Sequence, residues 1–413
     1  MLVKIKDLFY TDTGRDTLIV FTGTFANVIV GGIFFILAPR LLGPSHYGLF
    51  STVVATTLLA TAIANFGLDT AILRFAKKNS KQINTILSLA LKYYVILGFS
   101  TSLIGFFIAP YLAFFLGKQE LGELFRIGFL GIFFMLLSNF FVAGLQAKRE
   151  FLKASIVNLS ANLTRLLVVL IAFNSFFHGL YFLTAIFFFA PFISVIVGKL
   201  YLPFQIKIPQ KEISQDFVKY NFWVASALII SSIPFDNYLL LKIAGPDQTG
   251  LYSAPFKLLT FAYQFGGNFT RVLASRFASF DTNQKTKEFI LKTIPFPLVF
   301  AVGLITIFAI AKPLTILLFG EEFIGAVNLL RILSVGFIFF IFSTIPSSLI
   351  LYYFGKSNIS FVITFARYVL FVILLGLLIP QFQAQGAAFA FSLSEIFAFI
   401  LMSSYVIYKL KKP

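Results

Sequence analysis

The residues of this chain best suited to chemistry are charges set where charge is costly. Arg165, Arg367 and Lys92 each interrupt a long apolar run. A charged side chain near the centre of a bilayer costs a few kcal/mol or more, so it must face water, a partner or an anion. Arg165 stands about 11 residues into its run, Lys92 about 9 and Arg367 about 8, which at 1.5 Å per helical residue is a depth of ~12 to 17 Å. Three cations at one level make an anion site, and the planar guanidinium fork suits phosphate oxygens bidentately. Arg74 and Arg276 stand where runs end. They read either as headgroup anchors or as a first capture point for an anionic substrate.

Acids are scarce in the same runs, and turn geometry suggests their partners. Arg367 lies 14 residues before a turn near Gln381 and Glu395 lies 14 after it, so the two share a depth and an ion pair is expected. Asp236 is 10 residues before a turn at Pro246 and Lys257 is 11 after, which suggests a second pair. Ile193 occupies the first-half position that corresponds to Glu395, so Arg165 has no evident carboxylate and is the cleaner anion ligand. Each pair reads two ways: as a static stitch between helices, or as a carboxylate that loads and releases a proton or sodium ion. The chain has no cysteine and only His46 and His178, which sit in different turns, so thiol chemistry, metal sites and haem are not expected.

The elements that hold these charges must be membrane helices. Hydrophobic residues make up 59% of the chain and charged ones 12%, too little polar surface to cover a soluble globule. Twelve apolar runs long enough to span a bilayer follow one another: 17–39, 46–67, 83–116, 121–145, 154–173, 180–203, 217–243, 250–274, 289–319, 324–354, 359–379 and 386–407. The first follows basic residues as a signal peptide does, but it is long for one and lacks a small-residue cleavage site, so a retained helix is expected. Most of the 57 Phe and 16 Tyr must face lipid or pack helices.

The runs fall into two halves. Arg40-Leu-Leu-Gly-Pro-Ser-His-Tyr-Gly-Leu-Phe-Ser51 recurs as Lys242-Ile-Ala-Gly-Pro-Asp-Gln-Thr-Gly-Leu-Tyr-Ser253, an offset of 202 residues from Gly43 to Gly245 that also carries Arg74 onto Arg276 and Arg165 onto Arg367. The expectation is an all-α integral membrane protein of two six-helix lobes, 1–203 and 217–413, joined by a cytoplasmic link over 204–216. Pseudo-twofold symmetry would relate the lobes around a central cavity, as in transporters built from repeats. Basic residues gather in alternate connections, leaving the opposite side with Arg40, Lys118, Lys242 and Lys312. That places both termini in the cytoplasm. The formal charge of +17 is then attraction to anionic inner-leaflet lipid rather than nucleic-acid binding.

Gly43-Pro44 with Tyr47-Gly48-Leu49-Phe50, then Phe66-Gly67-Leu68-Asp69-Thr70 and Arg74-Phe75, resembles the N-terminal signature of Wzx-type polysaccharide flippases. Asp236-Asn-Tyr-Leu-Leu-Leu-Lys-Ile-Ala-Gly245 leading into Thr249-Gly250-Leu251-Tyr252-Ser253-Ala254 is similar to the opening of that family's second lobe. The resemblance implies a non-enzymatic inner-membrane flippase that moves an undecaprenyl-diphosphate-linked oligosaccharide outward, coupled to H+ or Na+, with contacts to membrane lipids and polysaccharide assembly machinery. A MATE-like exporter of small, often cationic compounds is the alternative, disfavoured by the midplane cations. A membrane polymerase or glycosyltransferase is a third, and the short outward connections leave no room for a catalytic loop.

Overall fold

Among the described residues three helices double back on themselves, and those bends set the architecture. A computed structural model describes residues 12–78, 82–173, 179–203, 233–260 and 282–411, with isolated positions 262, 263, 266, 270, 273 and 277. The link over 204–216, His178 and Arg276 lie outside the described residues, as does the side chain of Arg74. In chain order the helices are α1 (Asp12–Asn65), α2 (Leu68–Lys78), α3 (Ile83–Phe115), α4 (Leu121–Ala147), α5 (Phe151–Phe173), α6 (Leu180–Phe189) and α7 (Pro191–Tyr201). They continue with α8 (Phe235–Leu259), α9 (Asn283–Thr293), α10 (Pro295–Ala309), α11 (Ala311–Phe319), α12 (Ala326–Ser348) and α13 (Ser357–Lys411). The described residues are helical throughout, and eight segments are long and apolar enough to cross a membrane, making this a multi-pass membrane protein.

Straight, the 54 residues of α1 would run ~80 Å, far more than a bilayer. Gly43 breaks it at φ 67°, and the rings of Phe34 and Phe50 meet at 6.2 Å, so the two arms lie side by side. α8 repeats the device at Gly245, with φ 87°, and the Tyr252 hydroxyl donates to Asp236 at 3.0 Å. A left-handed residue followed by Pro44 or Pro246 suits glycine, which has no Cβ to clash. The third bend is at Gln383, φ 50°, in α13, where Gly386 backs onto the Leu378 carbonyl.

The chain forms two compact units, Met1–Leu42 with Phe50–Pro234, and Gly43–Leu49 with Phe235–Pro413. In the first, Phe34, Phe50 and Phe187 cluster, with Phe50 edge to face on Phe187 and Phe34 tilted against both. Glycines on α4 admit its neighbours, Gly131 beneath Phe188 of α6 and Gly144 beneath Leu202. Close approach through small residues is how membrane helices gain contact when lipid is as apolar as their own side chains. The second unit has a core of Leu273, Phe277, Ile345, Leu349, Ile350, Ile363 and Met402. Phe107 and Phe114 on α3 are more than half exposed, as lipid-facing rings are.

Pro191 and Pro295 interrupt the helical hydrogen bonding inside Leu180–Tyr201 and Asn283–Ala309, each of which stays one membrane-length segment, and the run expected over 289–319 continues into α11. A π-helical turn at Leu349–Tyr353 follows Pro346 and closes α12.

Gly43–Leu49 belongs to the second unit because it packs on its own repeat. A Cβ at Gly48 would strike the carbonyl of Pro246, and a Cβ at Gly250 would strike the carbonyl of Pro44. The two repeat copies thus meet glycine to proline in both directions. Gly48→Leu is therefore expected to destabilise the protein by about 1 to 3 kcal/mol through overpacking. Gly303→Ala, which would meet nothing within 4 Å, should leave stability nearly unchanged. Thermal unfolding of the two purified variants beside the parent tests the difference.

Candidate functional site

Asp236 and Glu395 are the two carboxylates most deeply buried among the described residues, at 8% and 3% exposure, and both lie in the second unit. α8 packs along α13, which brings their helices together. Glu395 Oε1 meets Arg367 Nη1 at 2.9 Å, the pair that equal depth around the α13 bend predicts. Arg367 is more exposed than its partner, with side-chain exposures of 22% and 4%.

The expected Asp236–Lys257 pair does not form. Asp236 accepts from the Tyr252 hydroxyl at 3.0 Å and from the Asn237 backbone N–H at 2.9 Å, and the next residue along pairs Ser253 with Asn237 at 2.9 Å. Across the bend at Gly245 the residue that meets 236 is 252, and Lys257 lies five residues, more than a turn, further along the same arm. Tyr263 lies within electrostatic range of Asp236, Glu395 and Arg367, and Tyr368 within range of Asp236 and Arg367. Two carboxylates, an arginine and three tyrosines thus share one polar patch of an apolar unit. Tyr252 could have been found in the sequence, since it sits in the repeated motif where the first copy has Phe50. The mate of Asp236 is Phe34, so a ring contact in one repeat becomes a carboxylate–phenol hydrogen bond in the other.

Arg165 belongs to the first unit, and its partners there are neutral. Nε donates to the Phe187 carbonyl at 3.0 Å and Nη1 to Asn162 Oδ1 at 2.6 Å. Its guanidinium lies 4.2 Å from the centre of the Phe187 ring. Asn162 in turn donates to Asn27 Oδ1 at 2.8 Å. Among the described residues no carboxylate pairs with Arg165, and Asn162, Asn27 and Phe187 are partners that charge counting could not reveal. A guanidinium has five N–H donors, and these contacts occupy two. Lys92 is exposed on α3.

Breaking a buried pair from one side leaves the other charge stranded, at a cost of about 3 to 5 kcal/mol. Arg367→Leu should therefore destabilise the fold by that order, and Glu395→Leu in the same molecule should restore most of the loss. A double-mutant cycle of thermal unfolding measures it. Tyr252→Phe should cost about 1 to 3 kcal/mol by leaving Asp236 short of a donor, with no such loss for Thr306→Ala, whose exposed hydroxyl bonds the Val302 carbonyl of its own helix.

Residues 13–269 match the family described as "Polysaccharide biosynthesis protein". A Shigella flexneri chain named "Putative O-antigen transporter" is 27% identical over 222 residues, 52% of this chain and 53% of that one, so the match spans about half of that relative's length. Among solved structures, an inward-facing multidrug resistance MATE family transporter of the MOP superfamily superposes with a TM-score of 0.78 at 16% identity, over 93% of this chain and 94% of that chain. The lipid II flippase MurJ in an inward closed conformation superposes with 0.75 at 14% identity, over 94% and 87%. The bent helices and their buried charges are thus arranged on the fold these transporters share. With well over half its residues matched, the chain belongs to the polysaccharide biosynthesis protein family.

Proposed function

We propose that this protein is a flippase for an undecaprenyl-diphosphate-linked oligosaccharide, moving it from the cytoplasmic to the outer leaflet of the inner membrane. The observation that carries the reading is Arg165, a cation near the midplane whose partners are all neutral and which retains N–H donors for diphosphate oxygens. The family match and the fold shared with MurJ support it. A MATE-like exporter of cationic compounds has the same fold, but a fixed uncompensated guanidinium at this depth repels its substrates. Arg367 and Lys92 are further candidates for the anion, and Arg74 and Arg276 for its first capture.

The topology proposed has twelve crossings in two six-helix lobes, 1–203 and 217–413, with both termini cytoplasmic. The bends support the count: eight membrane-length segments become ten when α1 and α13 are divided at Gly43 and Gln383, and the arms of α8 extended to both sides of Gly245 give two more. Coupling to H+ or Na+ is assigned to Asp236 and Glu395, with Lys257 as a nearby cation. A carboxylate that exchanges its partner for an ion as access alternates would link the gradient to the motion.

Proteoliposomes carrying a fluorescent lipid-linked oligosaccharide, with and without a proton or sodium gradient, report transbilayer movement through quencher accessibility. Wild-type protein should flip the lipid, and Arg165→Ala should abolish flipping while remaining folded and inserted. Arg165→Lys should recover only part, because a point charge replaces a bidentate fork. Wild-type rates from Arg165→Ala would remove it from the mechanism.

A further inference from the structure

Each unit carries the same arginine device at one end of a helix hairpin. In the first, Arg126 on α4 lies 5.1 Å over the ring of Phe106 on α3. In the second, Arg331 on α12 lies 5.9 Å over the ring of Phe308 on α10, and its Nε points at the Phe308 carbonyl at 3.4 Å. Phe106 and Phe308 are related by the 202-residue offset, and the arginines by a slightly larger one because the turn after Gly320 is longer than that after Gly117. Each arginine has a short-side-chain partner three residues earlier on its own helix. For Arg126 that partner is Glu123, and they form an ion pair. For Arg331 it is Asn328, at 3.5 Å from Nη1, which carries no charge.

The repeat has therefore kept the cation and lost its counter-charge in one copy. Among the described residues no carboxylate pairs with Arg331, although Glu321 and Glu322 stand on the turn before α12. Each arginine borders a cavity, ≈ 330 Å³ beside Arg126 and ≈ 500 Å³ beside Arg331. The larger one combines the guanidinium with the amides of Asn328 and Gln385 and with the apolar walls of Phe308, Phe389 and Leu393. Arg331 is five residues into α12, ~8 Å below the helix start, which is headgroup depth for a membrane helix.

We propose that the Arg331 cavity of the second unit binds the phosphate of a membrane lipid, with Asn328 and Gln385 as amide donors and the Phe308 and Phe389 rings against its chains. Cation, amides and apolar wall match a phosphate ester on an acyl or polyprenyl tail, and the same cavity beside Arg126 is closed to anions by Glu123. The proposal rests on the flippase reading only for its side of the membrane, which the topology above makes the outer one.

Native mass spectrometry of the purified full chain, titrated separately with phosphatidylglycerol and with undecaprenyl phosphate, tests it. Wild-type protein should retain one such lipid. Arg331→Ala should weaken retention about tenfold or more, the loss of charge-assisted hydrogen bonds. Asn328→Glu, at an exposed position, should do the same by installing the missing counter-charge, and Glu123→Asn should create a second site. Tighter retention of phosphatidylglycerol assigns the site to bulk lipid, and tighter retention of undecaprenyl phosphate assigns it to the carrier. Equal occupancy in wild-type, Arg331→Ala and Asn328→Glu overturns the proposal. Flipping by those same variants is read separately, so loss of the site and failure of the flippase reading give different results.

Discussion

The contact between Gly48 and Gly250 is the constraint from which the arrangement of the charged groups follows. Each glycine lies beneath the proline carbonyl of the opposite repeat copy, so neither helix can carry a side chain there. Close approach fixes where the first arm after Gly43 and the first arm after Gly245 begin. Because α8 turns at that point, its two arms run back along each other. Asp236 meets Tyr252, and the residues one further along meet as well. The buried carboxylate is placed by a backbone that has no room to slip, rather than by a charge that attracts it.

Three solutions to the cost of a cation in an apolar unit coexist in one molecule. Arg367 is paired with a carboxylate, Arg165 is held by carbonyl and amide dipoles with a ring face, and Arg331 lies over a ring and beside a backbone carbonyl. A buried ion pair returns little net stability, because desolvation consumes most of its Coulomb energy. Its value is positional. Dipoles leave the guanidinium charged yet still able to donate, which is the state an anion ligand requires.

Much of this was legible in the sequence because repeats and hairpins obey counting rules. The offset from Gly43 to Gly245 found both left-handed bends, and equal spacing about Gln381 found the Arg367–Glu395 pair. The same rule failed for Asp236 and Lys257: Asp236 meets Tyr252, five residues and more than a turn short of Lys257, and moving the apex from Pro246 to Gly245 accounts for only two of those positions. The network around Arg165 was hidden for a different reason. Asn27, Asn162 and Phe187 lie on three helices far apart in the chain, and no periodicity relates neutral residues that meet only through packing.

The Arg367–Glu395 pair also bears on how the membrane potential can act on this protein. A field across the bilayer does work only on net charge displaced through it, about 2.3 kcal/mol per elementary charge per 100 mV. Held at 2.9 Å, guanidinium and carboxylate travel as a near-neutral dipole, and a rearrangement that keeps them together is electrically silent. Separation, or the arrival of a cation on Glu395, turns the same movement into a displacement of gating charge. For these two residues, staying paired or parting is the difference between adding nothing to a voltage-driven step and adding to it.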